Sequence, residues 1–146
     1  MPGGSDISLV NSGSIRGDGI YPAGSLTYLT VNEILPFKGR IMIVEMTGAH
    51  ILRSLEVSAS AIRVEGDGCQ EGNRAPTGGF MQVGGIRMVL DLKNPSFCGL
   101  YSGKELEQVF DLGSRVVDVE VCRDGFWEKL DPSDTYRGIR FQNVMP

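Results

Sequence analysis

At 146 residues, 41% hydrophobic and 22% charged, the chain has the composition of an ordinary globular domain, able to bury about two-thirds of its unfolded surface. A net charge of −4 and a pI near 5.0 exclude the basic face that a nucleic-acid polymer demands, while a small anion held by one or two arginines stays compatible. The longest uninterrupted apolar run, Ile41-Met42-Ile43-Val44, is far too short to span a membrane, and Met-Pro-Gly-Gly-Ser-Asp shows no signal-peptide pattern.

In chain order, Ile7-Ser8-Leu9-Val10 reads as a strand entering the turn Asn11-Ser12-Gly13-Ser14-Ile15-Arg16. A strand end is a rigid base for a binding loop, and small residues let a ligand approach the backbone. Asn11 offers an amide donor and acceptor, and Arg16 a planar fork suited to phosphate or carboxylate. Arg16-Gly17-Asp18 is treated as a chance triplet. Thr30-Val31-Asn32-Glu33 has capping-box form, so a short helix is expected to start near Thr30 and to end at Pro36. Phe37 follows as an aromatic ring on a constrained backbone.

Arg40 to Thr47, apolar through its centre, reads as a strand covered on both faces. Gly48 opens the strongest helix, with Ile51, Leu52, Leu55, Ala59 and Ile62 along one face. Arg53, Glu56 and Ser60 are expected to see solvent. Val64 to Gly79 is a polar loop. Phe80 to Val83 and Ile86 to Leu92 read as strands of a hairpin around Gly84-Gly85. Residues 94–113 interrupt the strand pattern, with a helical turn expected at Lys104-Glu105-Leu106-Glu107. Arg115 to Val121 reads as a strand, Asp124-Gly125 as a hairpin turn before Phe126-Trp127, and Tyr136 to Phe141 as the last strand. Strand clusters with one strong helix indicate the α+β class. Cys69, Cys98 and Cys122 make an odd count without paired spacing, which favours free thiols over a Cys69–Cys98 bridge and leaves the compartment open.

The absences of chemistry are informative. His50 is the only histidine, too few for a two-metal hydrolase, and it reads as structural. Zinc-type Cys-x-x-Cys spacing, a Gly-x-Ser-x-Gly elbow and a phosphate-cradling P-loop are all lacking. Asp131 and Asp134 read as turn residues rather than a catalytic carboxylate pair. No catalytic residue and no metal ligand is assigned.

Six short blocks in order carry a resemblance. Asn-x-Gly-x-Ile-Arg at 11–16 is followed by Ala23-Gly24 and Leu35-Pro36-Phe37, then by Met46-Thr47-Gly48 before a helix ending in Leu55-Glu56. Gly79-Phe80-Met81-Gln82-Val83-Gly84-Gly85, Arg115-Val116-Val117-Asp118-Val119 and Asp131-Pro132-Ser133-Asp134-Thr135-Tyr136 complete the series. From Asp6 to about Tyr136 the chain resembles the C-terminal domain of 5'-nucleotidases.

The resemblance implies a four-layer α/β/β/α domain with two packed sheets, over 6–146, after a flexible 1–5 and with 94–113 as an insertion. It implies that Asn11 and Arg16 contact substrate and that Phe37 is one of two rings sandwiching the base. It places the divalent metals and the hydrolysis on a separate N-terminal metallophosphoesterase domain, so none of the cofactor is expected in this chain. The family is often secreted, periplasmic or surface-anchored. Its preceding helix, carrying another substrate arginine, and its closing loop, carrying the second ring, are expected to be missing, and Phe141 falls two residues before the second ring's position. The leading expectation is therefore a nucleotide-recognition domain in nucleotide catabolism. The alternatives are a stand-alone, non-catalytic nucleotide or phosphoester binder and an inactive fragment.

Overall fold

A computed structural model describes residues 4–37, 39–66, 68–69, 77–103 and 105–143, the side chains of 77 and 140–143 excepted. The expected first strand is β1 (Ile7–Asn11), which runs into a 3-10 turn at Ser12–Ser14. β1 pairs in parallel with β9 (Thr135–Asn143) and antiparallel with β3 (Met81–Gly84). β2 (Gly39–Thr47) pairs antiparallel with β9 along its whole length, so the first sheet has the order β2-β9-β1-β3. A second sheet has the order β4-β7-β8, from Ile86–Leu90, Val116–Arg123 and Phe126–Lys129.

The two sheets meet α2 (Gly48–Ala59) in one core. Ile7 and Leu9 come from the first sheet and Ile86, Val119 and Val121 from the second, while Ile51 and Leu55 come from the helix. Each such side chain contributes roughly 1.5–3 kcal/mol relative to leaving it in water. Helix α2 begins where the sequence indicates, with Thr47 as N-cap accepting from the His50 amide at 3.3 Å. Its first amides do not go unsatisfied: Gly48 N donates to Asp134 O at 2.9 Å and Ala49 N to Pro132 O at 2.9 Å. The packing is close enough that a Cβ at Gly48 would strike the Asp131 carbonyl.

Two of the three α2 residues expected in solvent are buried. Glu56 is 7% exposed and Ser60 0%, whereas Arg53 is exposed as expected. Glu56 is retained inside because its carboxylate accepts two backbone donors, Arg115 N and Val116 N, each at 2.8 Å. Arg115 is itself fully buried, its guanidinium donating to the carbonyls of Ile62 (2.9 Å), Asn94 (3.3 Å) and Ala59 (3.4 Å) near the helix end.

Several other expectations are corrected. The short helix α1 spans Tyr28–Ile34, and its cap is Thr27, whose hydroxyl accepts from Thr30 N at 3.1 Å. The capping box at Thr30 is a coincidence of sequence. β2 is an edge strand rather than one covered on both faces, with Ile41 70% and Ile43 56% exposed. β3 and β4 do not form a hairpin. The chain switches sheets at Gly85 (φ +70°), where a Cβ would strike the Asp6 carbonyl. The segment 94–113 folds as a hairpin of β5 (Cys98–Ser102) and β6 (Glu105–Asp111), turning at Gly103 (φ +60°). The helical turn expected at 104–107 is thus replaced by a strand from Glu105; Lys104 lies outside the described residues. Cys69 and Cys98 are joined in a disulfide, and Cys122 is the free thiol, so three free thiols are ruled out.

Other local signals hold. Asp124 (φ 49°) and Gly125 (φ 86°) make the left-handed pair of a tight turn between β7 and β8. Asp131 closes its own turn by accepting from Ser133 N and Oγ, which holds its carboxyl below the usual range. Arg123 does the same for Asp134 through a 2.6 Å bond.

Candidate functional site

The turn that leaves β1 is closed by one internal backbone bond and tied by two more to other segments. Ser12 N donates to Phe80 O at 2.7 Å, Ile15 N to Ser12 O at 3.0 Å, and Arg16 N to Ile34 O at 2.7 Å. A side chain at Gly13 would press on the Gly78 carbonyl at 3.1 Å, so any larger residue would have to push the two loops slightly apart. Gln82 Nε2 donates to Ser12 Oγ at 3.0 Å, a bracing contact that the sequence did not single out. Its only signal was an exposed polar position inside β3. Tyr21 is a second such residue: its hydroxyl donates to the Gly17 carbonyl at 3.4 Å across the bend at Gly17 (φ 104°) and Asp18 (φ 28°).

This scaffold brings two of the three predicted site residues together. The Arg16 guanidinium lies over the Phe37 ring, 5.0 Å from its centroid, and both side chains are exposed. The Arg16 amide bond to Ile34 fixes the start of that residue beside the end of α1, three residues before Phe37. Arg16 also donates through Nη1 to the Ile15 carbonyl at 3.1 Å. Asn11 stands five residues earlier, at the end of β1, exposed, as the N-cap of the 3-10 turn without a side-chain capping bond. No hydrogen bond among the described residues joins its side chain to Arg16 or Phe37. Beside the loop, Val10, Ile15, Ile34, Leu35 and Val83 line an open groove of about 290 Å³.

The arrangement can hold an anion and a flat apolar group side by side on the surface. His50 Nδ1 is engaged with the Thr47 hydroxyl at 3.1 Å, at the start of α2. Among the described residues, no three His, Cys, Asp or Glu side chains converge so that they could hold a metal, and no helix is long and apolar enough to cross a membrane.

Residues 2–140 match the model of the 5'-nucleotidase C-terminal domain family. Among solved structures, a 5'-nucleotidase precursor from Thermus thermophilus is 33% identical, with a TM-score of 0.65 over 94% of this chain and 21% of that one. The NAD nucleotidase of Haemophilus influenzae is 24% identical, with a TM-score of 0.64 over 94% of this chain and 20% of that one. The sulfate thiohydrolase SoxB of Thermus thermophilus, at 21% identity and a TM-score of 0.57 over 97% of this chain and 23% of that one, shares the fold. The chain therefore spans about a fifth of the length of the solved structures it matches. A search of curated proteins by sequence gave no match.

Proposed function

The chain belongs to the 5'-nucleotidase C-terminal domain family, and from that premise we propose that it is the substrate-recognition part of a nucleotide-hydrolysing phosphoesterase. The observation that carries the reading is the exposed Arg16–Phe37 pair on a loop tied by backbone bonds to Phe80 and Ile34. A guanidinium offers paired N–H donors to a phosphate, and an aromatic face offers stacking to a base. Asn11, at the end of β1 where the loop begins, supplies an exposed amide of the kind that pairs with ribose or base edges.

The described residues do not fit a divalent metal, because no three His, Cys, Asp or Glu side chains among them converge. The metal-dependent hydrolysis of such a protein is accordingly assigned to a metallophosphoesterase domain other than this one, and this domain binds and presents the nucleotide.

The test is a titration of AMP and ribose 5-phosphate followed by NMR. Phe37 is 41% exposed, so Phe37→Ala should leave the fold intact and remove stacking of roughly 1–3 kcal/mol. AMP should weaken accordingly and ribose 5-phosphate far less. If millimolar AMP leaves the wild-type spectrum unchanged, the nucleotide reading fails and an inactive fragment is the better description.

A further inference from the structure

We infer that Arg16 and Phe37 are coupled rather than independent subsites: in the free protein the guanidinium occupies the ring face, so that base and phosphate are accepted best as one molecule. The inference rests on the nucleotide reading above and adds to it a discrimination against the nucleoside.

The geometry leads there directly. With the guanidinium carbon 5.0 Å from the ring centroid, that face of Phe37 already has an occupant. Both residues are exposed, so packing does not force the contact, and the Arg16 side chain is free to swing while its backbone stays bonded to Ile34. A flat base that stacks on the same face must displace the guanidinium. A nucleoside offers the displaced cation nothing in return. A nucleotide offers its phosphate, a bidentate acceptor matched to the fork. Among the described residues the side chain makes one hydrogen bond, Nη1 to the Ile15 carbonyl, which leaves most of its five donors for that phosphate.

The consequence is a site that favours the phosphorylated ligand by more than the phosphate contact alone. In a nucleotide hydrolase the same device speeds departure of the product. Once the phosphate has gone, Arg16 returns to the ring and competes with the nucleoside for it. The contact is of the exposed cation–π kind, so the competition is worth about a two- to five-fold change in affinity.

The experiment titrates adenosine, ribose 5-phosphate and AMP against the wild-type chain, Arg16→Ala and Phe37→Leu, with binding and the Arg16 Nε–H signal read by NMR. In the free wild type that signal should carry a ring-current shift, lost in Phe37→Leu. Ribose 5-phosphate should move it toward its unstacked position. Arg16→Ala should bind adenosine about two- to five-fold tighter than wild type, while ribose 5-phosphate and AMP weaken by similar factors. If AMP binds but Arg16→Ala leaves adenosine affinity unchanged or lower, the coupling is overturned and the nucleotide site stands. If none of the three ligands perturbs the wild-type spectrum, both are overturned.

Discussion

Glu56→Ala is expected to be among the most damaging single substitutions in this chain, although it removes a charged residue from a helix. The Glu56 carboxylate accepts from Arg115 N through Oε1 and from Val116 N through Oε2, both at 2.8 Å. Arg115 is fully buried and Val116 half-buried, so water cannot readily replace the lost acceptor. An orphaned buried donor costs about 1–3 kcal/mol, which places the pair at about 2–6 kcal/mol. A domain of this size holds roughly 5–15 kcal/mol in total. Glu56→Gln keeps one oxygen for one donor but turns an N–H toward the other, and should fall between wild type and Ala. Urea denaturation should show a lower midpoint with an unchanged slope, because the same surface is exposed on unfolding. Amide exchange should accelerate at Arg115 and Val116 in the Ala variant. An Ala variant within about 0.5 kcal/mol of wild type, with both amides still protected, would refute the claim that this carboxylate holds β7 to α2.

Three further outcomes are expected. Reducing the Cys69–Cys98 bridge, or replacing both cysteines by Ala, frees a loop of sequence separation 29 in the unfolded chain and should lower stability by about 3–4 kcal/mol on the chain-entropy model; an unchanged melting point with and without reductant would contradict it. Arg123 lowers the Asp134 carboxyl and the Ser133 hydroxyl lowers that of Asp131, so their stabilisation is present above roughly pH 4 and is lost as pH falls through their depressed values. Asp134→Asn should flatten that acid limb, and acid melts of equal steepness in the two proteins would count against the ion pair. Zn²⁺, Mn²⁺ or Mg²⁺ added to the purified chain should elicit no hydrolysis of AMP or of a chromogenic phosphoester; turnover that copurifies with the chain and persists in His50→Ala would show that a catalytic centre lies within it.

What the sequence by itself determined was local. The short β-prone run 7–10 bounded by turn residues states a strand, and the three-to-four spacing from Ile51 to Ala59 states a helix. Asp124-Gly125 states a turn, because few other pairs accept two left-handed conformations. The ordered blocks from Asn11 to Tyr136 were enough to indicate the family, and they named Asn11, Arg16 and Phe37 before any geometry was available. Partner choice was not legible in the same way. Ile41 to Val44 reads as a buried strand from composition, but its neighbours place it at a sheet edge. Gly84-Gly85 reads as a hairpin turn, yet the flanking strands pair with β1 and β7 in different sheets. Glu56 and Ser60 look like solvent-facing helix residues until the chain entering β7 brings the Arg115 and Val116 amides to the Glu56 carboxylate. The odd cysteine count favoured free thiols, and only the approach of β5 to the loop at Cys69 brings about the Cys69–Cys98 bridge that was the alternative. The contact of Arg16 with Phe37, twenty-one positions apart, likewise exists only because the end of α1 is bonded back to the β1 loop. A local pattern encodes what one segment can become. Which segments meet is set by burial and by the pairing of polar groups between segments distant in the chain, and tertiary structure alone decides that.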